Sequence, residues 1–477
     1  MKKWLYIMSL LLVITASSFF FPQFLSLLLD KDTENSLALS YGKALKLEAF
    51  FEHQRRNNPV GSFIWLKSTT ELIKRHPQYT LVLADFFLQD NQKTKAIFWY
   101  EQAIKNDLVK ARLTLAQLYF IEKKYLQAEL LLPPSIYFND KKDTEKKLVL
   151  LMSIALINGD VVEIERVTKA LKFVNEEHVL LAELRRFQVF SLPDFSRDIF
   201  PSIRYERIKT KNSINKNCVA SMQFFATNLA DLRYTDYLIE QIKLRPLSNF
   251  SCFEPVRYIP LSTLNCRHKN QEAITCDEAL WQSYQQEINS RFIGVMVPQG
   301  GAKVHNGIMY LDSADTIDVF AHELAHMYGF IDEYSLPVNH SRCSQVQKKA
   351  FAHNIAVLTK TYRGKQLAIR NKILSQLPWG AFIKDETPIL TQKDNEWLLG
   401  TPERYKSEIG LFPSDTCQKA AFAQSINLQA FKPLAKRTSL HYYELEFPLF
   451  YQHLLEENTE AFLMPSFHKN IEKALIH

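Results

Sequence analysis

His322, Glu323 and His326 form the pattern H-E-x-x-H, and Gly329 and Asp332 follow at fixed offsets in HELAHMYGFIDEY. On an α-helix, residues i and i+4 share a face one turn apart, so both imidazoles reach one ion. Glu323 lies beside the first histidine, where its carboxylate can hold a water and take its proton. Gly329 tolerates the positive φ that ends a helix and reverses the chain. The reversal brings Asp332 back as a third ligand. Two histidines and one carboxylate leave a fourth position for water, as a catalytic Zn2+ site requires. The expected metal ligands are therefore His322, His326 and Asp332, with Glu333 and His340 as alternatives for the third, and the expected catalytic residue is Glu323. A bare H-E-x-x-H also fits an amphipathic helix with two ordinary histidines. The added glycine and aspartate make the motif specific.

The flanking residues predict the elements that hold this set. Ser313, Asp315 and Thr316 supply N-cap candidates, and Val319, Phe320, Leu324 and Ala325 an apolar side, so a helix is expected from Thr316 to Tyr328. Phe292–Val297 and Gly307–Leu311 read as two short strands around Pro298-Gln-Gly-Gly301. Five of the twelve glycines fall between Gly294 and Gly329, which marks tight turns and close backbone approach. A strand edge facing the cleft would pair with an extended peptide by β-augmentation.

H-E-L-A-H-M-Y-G-F-I-D resembles the metzincin zinc-peptidase motif, in the variant whose third ligand is Asp, as in snapalysin-type enzymes. Asp332-Glu333-Tyr334 is also similar to the D-E-Y of IgA-peptidase-like bacterial metallopeptidases. The resemblance covers residues 290–335 well and the rest of the C-terminal half loosely. It implies a strand, helix, cleft and strand-edge architecture, one zinc ion and peptide hydrolysis. It also implies a methionine turn under the metal. Downstream of Met327 only Met464 is available, in Glu460-Ala-Phe-Leu-Met464-Pro-Ser-Phe, which makes residues 335–460 a large insertion; ordinary core packing explains Met464 equally well.

The rest of the chain sets the context. Its 477 residues suggest two or three domains, and a net charge of +7 without basic blocks gives no nucleic-acid footprint. No nucleotide loop, Ser-His-Asp signature or flavin or nicotinamide fingerprint is present. Lys2 and Lys3 precede an uncharged run from Trp4 to Leu29, long enough for a single transmembrane signal-anchor over residues 1–35. That predicts an inner-membrane, single-pass protein whose later domains are periplasmic or extracellular, with a cleaved signal as the alternative. The six cysteines all follow residue 217 and include no C-x-x-C, which fits up to three disulfides in an oxidising compartment.

Residues 36–200 show helical periodicity and an internal repeat. Leu83-Ala84, Phe87 and Ala96 match Leu115-Ala116, Tyr119 and Ala128 at an offset of 32, with a weaker copy near Leu151. This resembles a tetratricopeptide or Sel1-type unit, whose small alanines let paired helices pack closely; a generic helical bundle is the alternative. Residues 205–477 form the expected metallopeptidase-like domain. Between 335 and 460 helices are expected at Lys348–Leu374 and Leu440–Leu455, with a loop-rich stretch over 376–418.

The fold class is thus multidomain: a transmembrane helix, an all-α repeat domain and an α+β metzincin-like domain. The expected function is an extracytoplasmic zinc metallopeptidase in which Glu323 is the general base. Tyr334, Tyr442 and His468 are candidates for stabilising the developing oxyanion. The expected partners are a peptide or protein substrate, the membrane, and a protein bound on the repeats. The alternatives are a repeat scaffold with a structural or degenerate zinc site, and a hydrolase of peptidoglycan peptides.

Overall fold

A computed structural model describes residues 20–31, 35–191, 218–267, 274, 276–284, 287–338, 340, 343, 350–419 and 427–467. The chain divides into two compact units, Met1–Ile154 and Ala155–His477. The first is helical; the second carries the β-sheets.

In the first unit, helices Tyr79–Gln89, Lys93–Lys105, Val109–Ile121 and Tyr125–Leu130 follow one another in hairpins. The 32-residue repeat is visible in their turns. Gln92 N–H donates to Phe87 O and Lys124 N–H to Tyr119 O, closing helix ends of the Schellman type. Asn91 and Lys123 hold the positive φ of each turn, at 57° and 60°. The paired alanines Ala84/Ala116 and Ala96/Ala128 are all fully buried, which leaves room for the neighbouring helices to approach.

The expected transmembrane anchor needs correcting. Among the described residues no helix is long and apolar enough to cross a membrane. The described part of the apolar run is a helix over 20–30. Its Leu25 and Leu29 are spent on Ala38, Leu39 and Phe50 of the next two helices, in a small hydrophobic cluster. Residues 1–19 lie outside the described residues.

The second unit is built on a six-stranded sheet: β1 (Ala220–Ala226), β2 (Ser251–Phe253), β3 (Arg257–Tyr258), β4 (Phe292–Val297), β5 (Lys303–His305) and β6 (Ile308–Asp312). The order is β2-β1-β4-β6-β5, with β3 also on β1. All pairings are parallel except β5 with β6. The central strands are buried on both faces, as their near-continuous apolar runs dictate. On one face Phe225, Trp281, Val295 and Tyr310 form a core. On the other, Phe224 packs against Phe320 of the following helix at 5.4 Å between ring centroids. Gly294 makes this possible, because a Cβ there would lie 2.1 Å from the Phe224 ring.

The strand predicted at Phe292–Val297 matches β4, and that at Gly307–Leu311 is shifted by one residue. Strand β5 was not foreseen. Its signal is Asn306-Gly307, whose φ of 51° and 77° make the tight hairpin turn into β6.

Past residue 335 the helical expectation fails in large part. Ala356–Thr359 (β7) and Thr361–Tyr362 (β8) are strands, and helix begins only at Gln366–Leu374. The second expected helix is confined to Leu449–Glu457. A short buried apolar run such as Ile355–Leu358 carries no periodicity that separates strand from helix. Two small sheets result: β8 with β9 (Leu390–Lys393) and β10 (Glu396–Leu399), and β7 with β11 (Phe412–Ser414) and β12 (Leu428–Lys432). Three disulfides, Cys218–Cys252, Cys266–Cys276 and Cys343–Cys417, pair all six cysteines.

Candidate metal centre

The motif helix runs from Ile317 to Met327, with Thr316 as its N-cap. It follows β6 through a turn in which Asp315 accepts a hydrogen bond from Asp312 N at 2.7 Å. At its end, Phe330 N–H donates to Ala325 O. Gly329 has φ +88°, and a Cβ there would lie 2.1 Å from Phe462 O, so this reversal is open to glycine alone.

The reversal brings three ligand atoms together. His322 Nε2 lies 3.1 Å from His326 Nε2, and Asp332 Oδ1 lies 3.1 Å and 3.3 Å from those two nitrogens. Neighbouring ligands of a tetrahedral zinc ion with bonds of about 2.0–2.1 Å stand about 3.3 Å apart, so the triangle fits. The tautomers agree. His322 Nδ1 is 2.8 Å from Ser439 O, and His326 Nδ1 is 3.2 Å from Phe330 O. A carbonyl only accepts, so each Nδ1 carries the proton and each neutral Nε2 presents a lone pair. Asp332 Oδ1 is buried and has no hydrogen-bond partner of good geometry despite its two close nitrogens. Two lone pairs and a carboxylate oxygen converging on one point require a cation.

Without a metal that cation is a proton. Burial opposes a charge on His326, but the facing Asp332 carboxylate outweighs it and lifts the imidazole pKa to about 9. Burial also disfavours the Asp332 carboxylate, yet the His326 charge holds it well below the usual range. Glu323 is only 6% exposed, and its ligating oxygen falls within 4.8 Å of the histidine nitrogens. Burial raises its carboxyl pKa, with the two histidines opposing.

Of the two alternative third ligands, one lies away from the cleft and one lines it. Glu333 turns away and is buried against Lys432 Nζ at 2.6 Å. His340 lines the cleft. Tyr334 also lines it, whereas Tyr442 does not; Tyr442 accepts a hydrogen bond from Arg437 at 3.1 Å. His468 lies outside the described residues. Met464 borders the cleft, with its N–H on Met327 O and its Sδ 3.2 Å from Gly307 N.

The cleft measures about 440 Å³. Residues 302–306, around β5, form one wall, and Met464 and Pro465 another. Among the described strands β5 pairs with β6 alone, which leaves its outer edge free.

Sequence reasoning missed the residues that hold Asp332 in place. Thr416 Oγ1 donates to Asp332 O at 2.8 Å. Asn354 clamps the preceding residue, accepting from Ile331 N at 3.1 Å and donating to Ile331 O at 2.9 Å. Glu333 N–H donates to Leu440 O at 2.8 Å. All these partners lie beyond residue 350, and only the unusual buried Lys432 on β12 gives them a sequence signature, visible once its strand is assigned.

No family model matches this chain, and no curated protein and no solved structure is significantly similar to it.

Proposed function

We propose that the chain is a zinc-dependent metallopeptidase, metzincin-like in its second unit, that hydrolyses peptide bonds in an oxidising, extracytoplasmic compartment. The observation that carries this reading is the triangle of His322, His326 and Asp332, with a spare buried carboxylate, Glu323, beside it. Bound by those three residues, a zinc ion would supply Lewis acidity for the scissile carbonyl and an acidified water. Glu323 takes the proton of the attacking water and delivers it to the leaving amine. The free edge of β5 orients an extended substrate through main-chain hydrogen bonds. Tyr334, in the cleft next to Asp332, donates its hydroxyl to the developing oxyanion.

A purely structural metal site accounts less well for these residues. Structural zinc is closed by four protein ligands; in this reading His322, His326 and Asp332 hold the ion, and Glu323, whose oxygen also lies within 4.8 Å of the histidine nitrogens, is kept for the water. The three disulfides support the compartment. The hairpins of the first unit fit a tetratricopeptide- or Sel1-like repeat, to which, by analogy, we assign binding of a protein partner. The test is incubation of the zinc-loaded protein with a proteome-derived peptide mixture and mass spectrometry of new termini. Cleavage that stops on chelation and returns with zinc supports the reading; an unchanged mixture sinks it.

A further inference from the structure

The buried pair Glu333–Lys432 sits one residue from Asp332. Its side chains are 0% and 6% exposed, and the Nζ–Oε2 distance is 2.6 Å. Tyr451 donates to the other Glu333 oxygen, Oε1, and Asn354 Nδ2 lies 3.4 Å from it. Lys432 also donates to Lys436 O at 3.0 Å. The two charges are thus close to saturated with partners drawn from β12, the Leu449–Glu457 helix and the loop at Asn354.

Such a pair is a poor choice for stability alone. Stripping water from two charges costs roughly what their attraction returns, and well-packed apolar residues of similar volume commonly do as well. What the pair does supply is direction. Asn354 touches Glu333 and also both backbone groups of Ile331, while Ser414 Oγ donates to Glu333 O at 3.2 Å. Residues 331 and 333 are therefore fixed on either side of Asp332. The Asp332 carbonyl is held separately by Thr416.

We infer that Glu333 and Lys432 are positioning residues for the metal: their ion pair, relayed through Asn354, aims the Asp332 carboxylate at the two imidazoles. The small sheet of β7, β11 and β12 then belongs to the metal centre and not to a spacer. This rests on the metal reading above. Outer partners of ligating groups typically change metal affinity about 10- to 100-fold when removed.

The test is the double variant Glu333→Gln/Lys432→Met, which leaves no lone buried charge, measured alongside Tyr451→Phe. Zinc affinity is read by competition with a chromogenic chelator, Co2+ loading by its visible absorption, and folding by thermal unfolding of the metal-free protein. The expected result is a double variant that unfolds within a few degrees of the parent, binds zinc about 10- to 100-fold more weakly and gives an altered Co2+ spectrum. Tyr451→Phe falls between the two. A double variant that does not fold, or that folds and binds zinc like the parent, overturns the inference. A parent protein that binds no zinc overturns the metal reading itself, which separates the two failures.

Discussion

Asp332 and Glu333 are consecutive, yet they serve opposite sides of the fold. Asp332 Oδ1 faces His322 Nε2 at 3.1 Å, while Glu333 Oε2 meets Lys432 Nζ at 2.6 Å in the interior. One carboxylate faces the two imidazoles, and the other is neutralised in the interior by Lys432 and Tyr451.

The purified protein should bind about one zinc per chain. His322→Ala and His326→Ala should each reduce it to background, because each removes one of three ligands. Asp332→Asn keeps the shape but loses the charge, and should weaken binding without abolishing it. Metal analysis after gel filtration reads all three. Stoichiometric zinc in either histidine variant would exclude the site.

Zinc uptake should release protons. At pH 7 the metal-free site holds a proton, since the facing Asp332 carboxylate outweighs burial and pushes the His326 pKa up to about 9. Zinc must displace it, so affinity should fall about tenfold for each pH unit below 9. Calorimetry in buffers of different ionisation enthalpy checks this; heats independent of buffer would contradict it.

The recognition of the site from sequence rested on local spacing. His322, Glu323, His326, Gly329 and Asp332 lie on one helix and its reversal, where backbone geometry alone fixes their relations. The same holds for the first unit, whose repeated Schellman ends follow from positions 32 apart. Local spacing says nothing about partners 80 to 120 residues away. Thr416, Lys432 and Tyr451 reach the Asp332 loop, and Ser439 reaches His322, through tertiary folding, and short apolar stretches such as Ile355–Leu358 carry no period to place them. The apolar run ending at Leu29 misleads because hydrophobicity does not state what covers it; among its described residues Leu25 and Leu29 pack on the next two helices.

His353 should make the protein acid-sensitive. It is 1% exposed with an unpartnered Nε2, and burial lowers its pKa from 6.5 to about 4. The folded value lies below the unfolded one, so stability is complete above about pH 6.5 and lost as pH falls toward 4, by about 3 kcal/mol. His353→Leu should lose correspondingly less stability between pH 7 and pH 4 in urea unfolding. Parallel pH profiles for parent and variant would refute this.

Tyr334→Phe should lower kcat about 100- to 1,000-fold with KM little changed, if its hydroxyl meets the oxyanion only in the transition state. Tyr442→Phe, outside the cleft, should be neutral. Equal effects of the two substitutions would remove the assignment.

The most direct measurement is made on Glu323→Gln, by zinc content and peptide hydrolysis on the same preparation. The amide is nearly isosteric and supplies no ligand in the His322–His326–Asp332 triangle, so zinc should remain at the parental level. It cannot accept a proton from water, so hydrolysis should fall by about a hundred- to ten-thousand-fold. Full zinc with lost cleavage is the predicted result. A variant that cleaves as fast as the parent, with the metal in place, would contradict a peptidase built on Glu323.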